Sequence, residues 1–194
     1  MKTIDYYNYH AEEFTNLTLY VDMESLYQPF LNLLPINAHI LDVGCGAGRD
    51  ILAFKKKGYR VDAIDYSEQL VKKATELTGL QVKHQSFYEV DEVAVYDGIW
   101  ACASLLHCER SRLAEALEKM LQALKPNGVI YMSFKYGDSD REKDGREFTD
   151  LNDQQAQELL AQFDQVSLVQ QWITMDKRPD REEKWLNLLW KKND

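Results

Sequence analysis

From His39 onward, short β-rich segments alternate with segments of helical period. That alternation restricts the chain to a mainly parallel sheet covered on both faces by helices. His39–Val43, Tyr59–Ile64, Gln81–His84, Tyr96–Cys102 and Val129–Phe134 read as strands, the last fully apolar as a central strand requires. Between them, Arg49–Lys57 reads as a helix ended by three lysines and Gly58. A second helix is capped by Ser67 and runs to Leu77. The clearest helix spans Arg110–Leu124, with Leu113, Leu117, Met120, Leu121 and Leu124 on one face and Glu115 paired with Lys119 on the other. Lys125-Pro-Asn-Gly128 is a turn by composition, and 138–150 a charged loop. Asn152 with Gln155 forms a capping box that opens a helix to Phe163. Two last strands, 166–175 and 184–190, follow each other without a helix, which permits an antiparallel edge. Residues 1–35 carry helical stripes that end at Pro35. With no repeat and no low-complexity linker, one domain is expected over 1–194, a helical cap over 1–35 and an α/β core over 36–194.

Charge narrows the partners. Lys and Arg total 23 against 32 Asp and Glu, a net charge of −9. Gripping a phosphate backbone calls for a basic surface, so the balance argues against nucleic acid. The N-terminal residues carry charges throughout and resemble no secretory signal. No run approaches the ~18–20 apolar residues that span a bilayer. A cytoplasmic protein without a membrane partner is expected. Cys45, Cys102 and Cys108 include no paired spacing, which fits reduced thiols. Cys102, His107 and Cys108 lack a fourth ligand, so no metal site is expected.

In a parallel sheet, ligands sit outside the carboxyl ends of the strands. Two features fall there. Asp42-Val-Gly-Cys-Gly-Ala-Gly48 links the first strand to the first core helix, and its alternate glycines let a ligand approach the backbone. Asp65 ends the second strand, where a carboxylate accepts hydrogen bonds from ribose hydroxyls. Nicotinamide and S-adenosylmethionine (SAM) sites share both features. A dinucleotide fingerprint, G-x-G-x-x-G, would put its third glycine where Arg49 stands. Asp42 sits poorly beside a pyrophosphate and suits an ammonium such as methionine's. The residues therefore favour SAM over a dinucleotide.

Ile40-Leu-Asp-Val-Gly-Cys-Gly-Ala-Gly-Arg-Asp50 resembles the first motif of the class I SAM-dependent methyltransferases. Val61–Ser67 resembles their second motif, Tyr96–His107 the fourth-strand motif and Leu124–Ser133 the turn into strand five. The Gly-Arg-Asp ending is similar to small-molecule members such as the tellurite-resistance methyltransferases. The resemblance implies a Rossmann-like three-layer sandwich, with a seven-stranded sheet of order 3214576 and strand 7 antiparallel. It implies that Gly44, Gly46 and Gly48, with Arg49 closing the motif, line the methionine part of SAM. Asp42 would order the loop or the amino group. Asp65 would hold the ribose, with Tyr66 beside the adenine. The acidic residue that many relatives carry after strand three is replaced here by Gln85-Ser86-Phe87, so Ser86 and Phe87 would take that place. Ala101 would line the sulfonium region.

Methyl transfer is an in-line displacement, and a base is needed only if the acceptor must lose a proton. His107, after the fourth strand, is the candidate base, and a loop histidine bonded to backbone is the plain alternative. Tyr6, Tyr7 and Tyr9 form an aromatic group in a segment that relatives fold over SAM. The charged loop after the fifth strand would bring Tyr136 and Arg146 to the acceptor side as a lid, with Arg141 or Arg146 binding an anionic acceptor. The run Asp176–Lys184 would meet it. The expected function is methylation of a small acceptor, yielding S-adenosylhomocysteine (SAH). Methylation of a protein or structured RNA, through a basic patch at Arg49, Lys55–Lys57 and Arg60, is one alternative. A SAM-binding regulator without turnover is the other.

Overall fold

The computed structural model describes residues 2–178 and 181–194. Strands β1 (His39–Val43), β2 (Arg60–Asp65), β3 (Lys83–His84), β4 (Tyr96–Ala101) and β5 (Leu124–Lys135) pair in parallel. β9 (Lys184–Lys192) runs antiparallel to β5, and β8 (Val166–Met175) antiparallel to β9. The sheet order is β3-β2-β1-β4-β5-β9-β8. With β8 and β9 as its sixth and seventh strands, this is the expected 3214576 order.

Alternation along each strand divides the core into two layers. Ile40, Trp100, Tyr131 and Leu189 face one side, where α3 (Glu24–Leu31), α4 (Arg49–Lys56) and α5 (Glu68–Thr78) supply Phe30, Phe54 and Ala74. Leu41, Ile99, Ile130, Leu188 and Trp190 face the other, against α6 (Leu113–Ala123) and α7 (Asp153–Leu160). The Trp100 and Tyr131 rings stack at 4.0 Å between β4 and β5, and both are fully buried. A Cβ on Gly98 would meet Phe30 at 2.7 Å, so the close seat of α3 on β4 depends on that glycine. The terminal Trp190 is thus core, burying the large apolar area that aromatic side chains contribute.

Two segments depart from expectation. Lys125–Gly128 does not stand apart as a turn: β5 begins at Leu124 and absorbs the four residues in an irregular stretch, with Asn127 at a φ of 66°. The charged loop after β5 is a hairpin, β6 (Asp140–Lys143) paired with β7 (Arg146–Thr149). Asp144 and Gly145 both have positive φ, 55° and 80°, as the hairpin-type turn demands. The N-terminal region forms α1 (Thr3–Tyr9), α2 (Ala11–Thr18) and α3. Among the described residues no helix is long and apolar enough to cross a membrane.

Candidate active site

The loop after β1 turns through three left-handed glycines: Gly44, Gly46 and Gly48 have φ of 72°, 56° and 98°. The amides of Gly44 and Cys45 donate to the Ile64 carbonyl, at 2.9 and 3.1 Å, which ties the loop to β2. A Cβ on Gly44 would overlap that of Ser104, and one on Gly46 would stand 3.1 Å from Phe14. These two glycines keep the backbone open to a cavity of about 760 Å³ at the carboxyl edge of the sheet. Gly48 does something else. Its missing Cβ makes room for Thr78, at 2.6 Å, and so lets α4 pack against α5; it does not line the cavity.

Asp65 lines the cavity at the end of β2. Its Oδ2 accepts from the Gly46 amide at 2.9 Å and its Oδ1 from the Ser67 amide at 2.8 Å. Burial raises its pKa to about 6, against those amides and the His84 charge. Tyr66, half exposed, stacks on the His84 ring at 5.6 Å; Ser86 and Phe87 follow β3 on the same cavity wall. Asp42 lies beneath the loop, 1 % exposed, and its Oδ2 has no hydrogen-bond partner. Burial and nearby Asp50 push its pKa well above the ordinary carboxylate range. Ser104 Oγ, on the cavity wall, is likewise buried and unpartnered. Buried polar atoms are rarely left so.

Ala101 is fully buried and does not reach the cavity, because strand alternation turns its side chain into the layer beneath α6. Cys102, Ala103 and Ser104 line the wall instead. Ala103 holds a φ of 50°, uncommon for a residue with a Cβ, and its amide donates to Ser133 Oγ at 2.8 Å. Burial pushes the Cys102 thiol up to about 12, so it is not a ready nucleophile.

Arg49 lines the cavity, yet its charge is engaged. Nε and a terminal nitrogen bond Asp50 at 2.8 and 3.2 Å. Asp50 also accepts from Trp100 Nε1 at 2.8 Å and from the Tyr27 hydroxyl. Burial opposes its charge, and Arg49 with these donors holds its pKa below the usual range. Two lysines of the basic patch are also paired. Lys55 donates to the Thr78 carbonyl at 3.1 Å and Lys57 pairs with Glu24 at 2.8 Å.

Residues of α1 and of the hairpin form a further wall of the cavity. Thr3 Oγ1 accepts from the Glu147 amide at 2.9 Å, and Asn8 Oδ1 from Ser67 Oγ at 2.8 Å. Tyr7 bonds His107 Nε2 at 2.8 Å, and His107 Nδ1 lies 2.7 Å from the Glu147 carbonyl. A carbonyl only accepts, so Nδ1 carries the proton and Nε2 accepts from the Tyr7 hydroxyl. Burial pushes the His107 pKa down to about 4, the Glu147 bond opposing and Arg146 and Lys135 adding to the effect. His107 therefore has no nitrogen left for an acceptor, and Tyr7 stands where a histidine base was expected. Tyr9 points outward, 80 % exposed.

Arg146 lines the cavity with its guanidinium 4.2 Å from the Tyr6 ring centroid. Tyr136 is elsewhere: its hydroxyl donates to Asp153 at 3.1 Å and the residue does not line the cavity. In the run Asp176–Lys184, residues 179 and 180 lie outside the described residues; Glu183 meets Arg141 of the hairpin at 3.7 Å. Lys135, Phe148, Trp185 and Asn187 also line the site and carry no motif in the sequence. Among the described residues no cluster of His, Cys, Asp or Glu has the composition of a metal site.

Residues 40–128 match the model of a methyltransferase domain family. An uncharacterized methyltransferase of Staphylococcus carnosus is 28% identical over 113 residues, 57% of this chain and 55% of that protein. The 2-methyl-6-phytyl-1,4-hydroquinone methyltransferase of Synechocystis is 33% identical over 112 residues, 53% of this chain and 34% of that one. The chain thus spans about half or less of the length of these curated relatives. In fold it is similar to the 1,6-didemethyltoxoflavin-N1-methyltransferase of Burkholderia thailandensis, solved with 1,6-didemethyltoxoflavin and SAH. The TM-score is 0.79 at 22% identity, over 98% of this chain and 85% of that one.

Proposed function

We propose that this chain is a class I SAM-dependent methyltransferase that binds SAM at the glycine loop and transfers its methyl group to a small acceptor in the same cavity. The observation that carries this is one continuous cavity, about 760 Å³, with Gly44, Gly46 and Asp65 on one wall and the α1–hairpin cover on another. Pockets of ~300–1,000 Å³ suit small ligands.

The residues present fit the cofactor. Asp65 has lone pairs beyond the two amides it serves and is the group for ribose hydroxyls. Ser104 Oγ is buried on the cavity wall and lacks a partner, so a polar group brought to the loop would complete it, whereas Asp42 lies beneath the loop and does not line the cavity. Tyr66, Ser86 and Phe87 offer ring faces and a hydroxyl to a base. SAM supplies, when bound, a methyl group on a positively charged sulfur that leaves with the carbon–sulfur electron pair as an acceptor lone pair attacks.

The chain's own part is positional. The α1–hairpin cover and the β4 edge hold the acceptor near the loop and keep water out, and orientation of this kind is worth several kcal/mol of barrier. Tyr7 presents its hydroxyl to the cavity with its proton directed at His107 Nε2, so His107 positions Tyr7. With His107 poorly basic, the dyad suits an acceptor whose lone pair is available before it loses a proton.

Isothermal titration with SAM, SAH and NAD, repeated on Asp65→Ala, tests the reading. Both adenosyl ligands should bind, and the variant should bind them about ten- to a hundredfold more weakly, as removal of charged hydrogen bonds predicts. NAD binding without SAM or SAH binding would refute it.

A further inference from the structure

The cations of the hairpin and of the strands beside it differ in how they are paired. Lys135 is 4 % exposed, with its Nζ 3.0 Å from Glu183 and 4.1 Å from the Phe148 ring centroid. Arg141 binds Asp150 with two nitrogens, at 2.5 and 3.2 Å, and lies 3.7 Å from Glu183. Two cations and two carboxylates in this group balance.

Arg146 has no such partner. The only carboxylate it meets among the described residues is Asp144, at a loose 3.6 Å and 61% exposed. Its Nε is buried and makes no hydrogen bond. Its guanidinium is held against aromatic faces, 4.2 Å from Tyr6 and 5.2 Å from Phe148. A guanidinium stacked on rings presents its N–H donors edge-on, and that edge matches a planar oxyanion two-to-one. The Arg146 side chain is 13% exposed and lines the cavity.

We propose that Arg146 is the anchor for the methyl acceptor, and that the acceptor is a small aromatic carboxylic acid whose carboxylate binds the guanidinium edge while its ring lies among Tyr7, Phe148 and Trp185. The proposal rests on the methyltransferase reading for the word acceptor, and on the pairing of Arg146 alone for the carboxylate.

The test is calorimetric titration of benzoate, its neutral isostere benzamide, and phenyl phosphate into the whole protein, with and without saturating SAH. Benzoate should bind at least tenfold more tightly than benzamide or phenyl phosphate. Arg146→Gln should lose at least tenfold of that affinity while binding SAH as before, and Arg146→Lys should fall between, since it keeps the charge and loses the fork. Retained SAH binding shows that the variants are folded. Equal binding of benzamide, binding of phenyl phosphate alone, no binding of any probe, or benzoate affinity unchanged in Arg146→Gln would each overturn the proposal. Failure of SAH itself to bind, with benzoate still selected through Arg146, would instead sink the methyltransferase reading and leave the anion site standing.

Discussion

Tyr7, in the first helix, donates its hydroxyl to Nε2 of His107 at 2.8 Å across 100 residues of sequence, while Nδ1 of the same ring bonds the Glu147 carbonyl at 2.7 Å. Three remote segments are joined through one imidazole, and its tautomer follows from the chemistry of its two partners. Nitrogen-15 spectra should show His107 neutral, protonated at Nδ1, from pH 5 to 8. Its pKa, about 4 in the folded protein, lies below the unfolded value near 6.5, so its contribution to stability is present above pH 6.5 and is lost as pH falls toward 4. Urea unfolding of the wild type and His107→Gln should therefore converge by up to about tenfold in folding equilibrium per pH unit across that window. A constant difference from pH 7 to 5 would mean that the ring titrates as in water.

Asp65 titrates in the opposite sense. Burial raises its pKa to about 6, so the folded protein without ligand takes up a proton there as pH falls from about 7 to 5. Ribose hydroxyls donate to the ionised form and lower that pKa in the complex. SAH affinity should then be flat above pH 7 and weaken below pH 6 by at most about tenfold per unit. Asp65→Asn should flatten the profile. A pH-independent affinity in the wild type would show that Asp65 does not meet the ligand.

Gly44 needs a left-handed backbone and an absent Cβ together. Gly44→Ala should lose about 1–2 kcal/mol from the φ of 72° alone, and more from the overlap with Ser104. The overlapping atom is Ser104 Cβ. A second change Ser104→Gly should recover part of the loss, and Ser104→Ala should not. Equal rescue by both, in chemical unfolding, would contradict the geometry.

Asp50 gathers donors from Tyr27, Trp100 and Arg49 in the layer beneath the glycine loop. Asp50→Ala strands a buried guanidinium, an indole N–H and a phenol. The expected loss of stability is about 3–5 kcal/mol, the range for breaking a buried charge pair. A loss under ~1 kcal/mol would show that water takes over the carboxylate's place.

The alternation of strand and helix, the glycine loop and Asp65 were legible in the sequence because their signals are local. A strand period, a helix face, a positive-φ glycine and a carboxylate at a strand end each lie within a few residues of one another. Even the missed hairpin had its local sign, Asp144-Gly145 between two short runs, hidden among charges that read as a solvated loop. Parts of the expected site moved for equally specific reasons. Gly48 packs a helix, Ala101 faces the core and Tyr136 reaches Asp153, because side-chain direction is set by the pleat and by neighbours rather than by motif position. What only the tertiary structure decided is which charges remain unmatched. Lys135, Arg141 and Arg146 are alike in composition, yet Glu183 and Asp150 neutralise the first two, and the third is left against Tyr6 and Phe148. Partner and burial, not residue type, determine whether a cation is spent on the fold or offered to a ligand, and both depend on segments that meet only when the chain has closed.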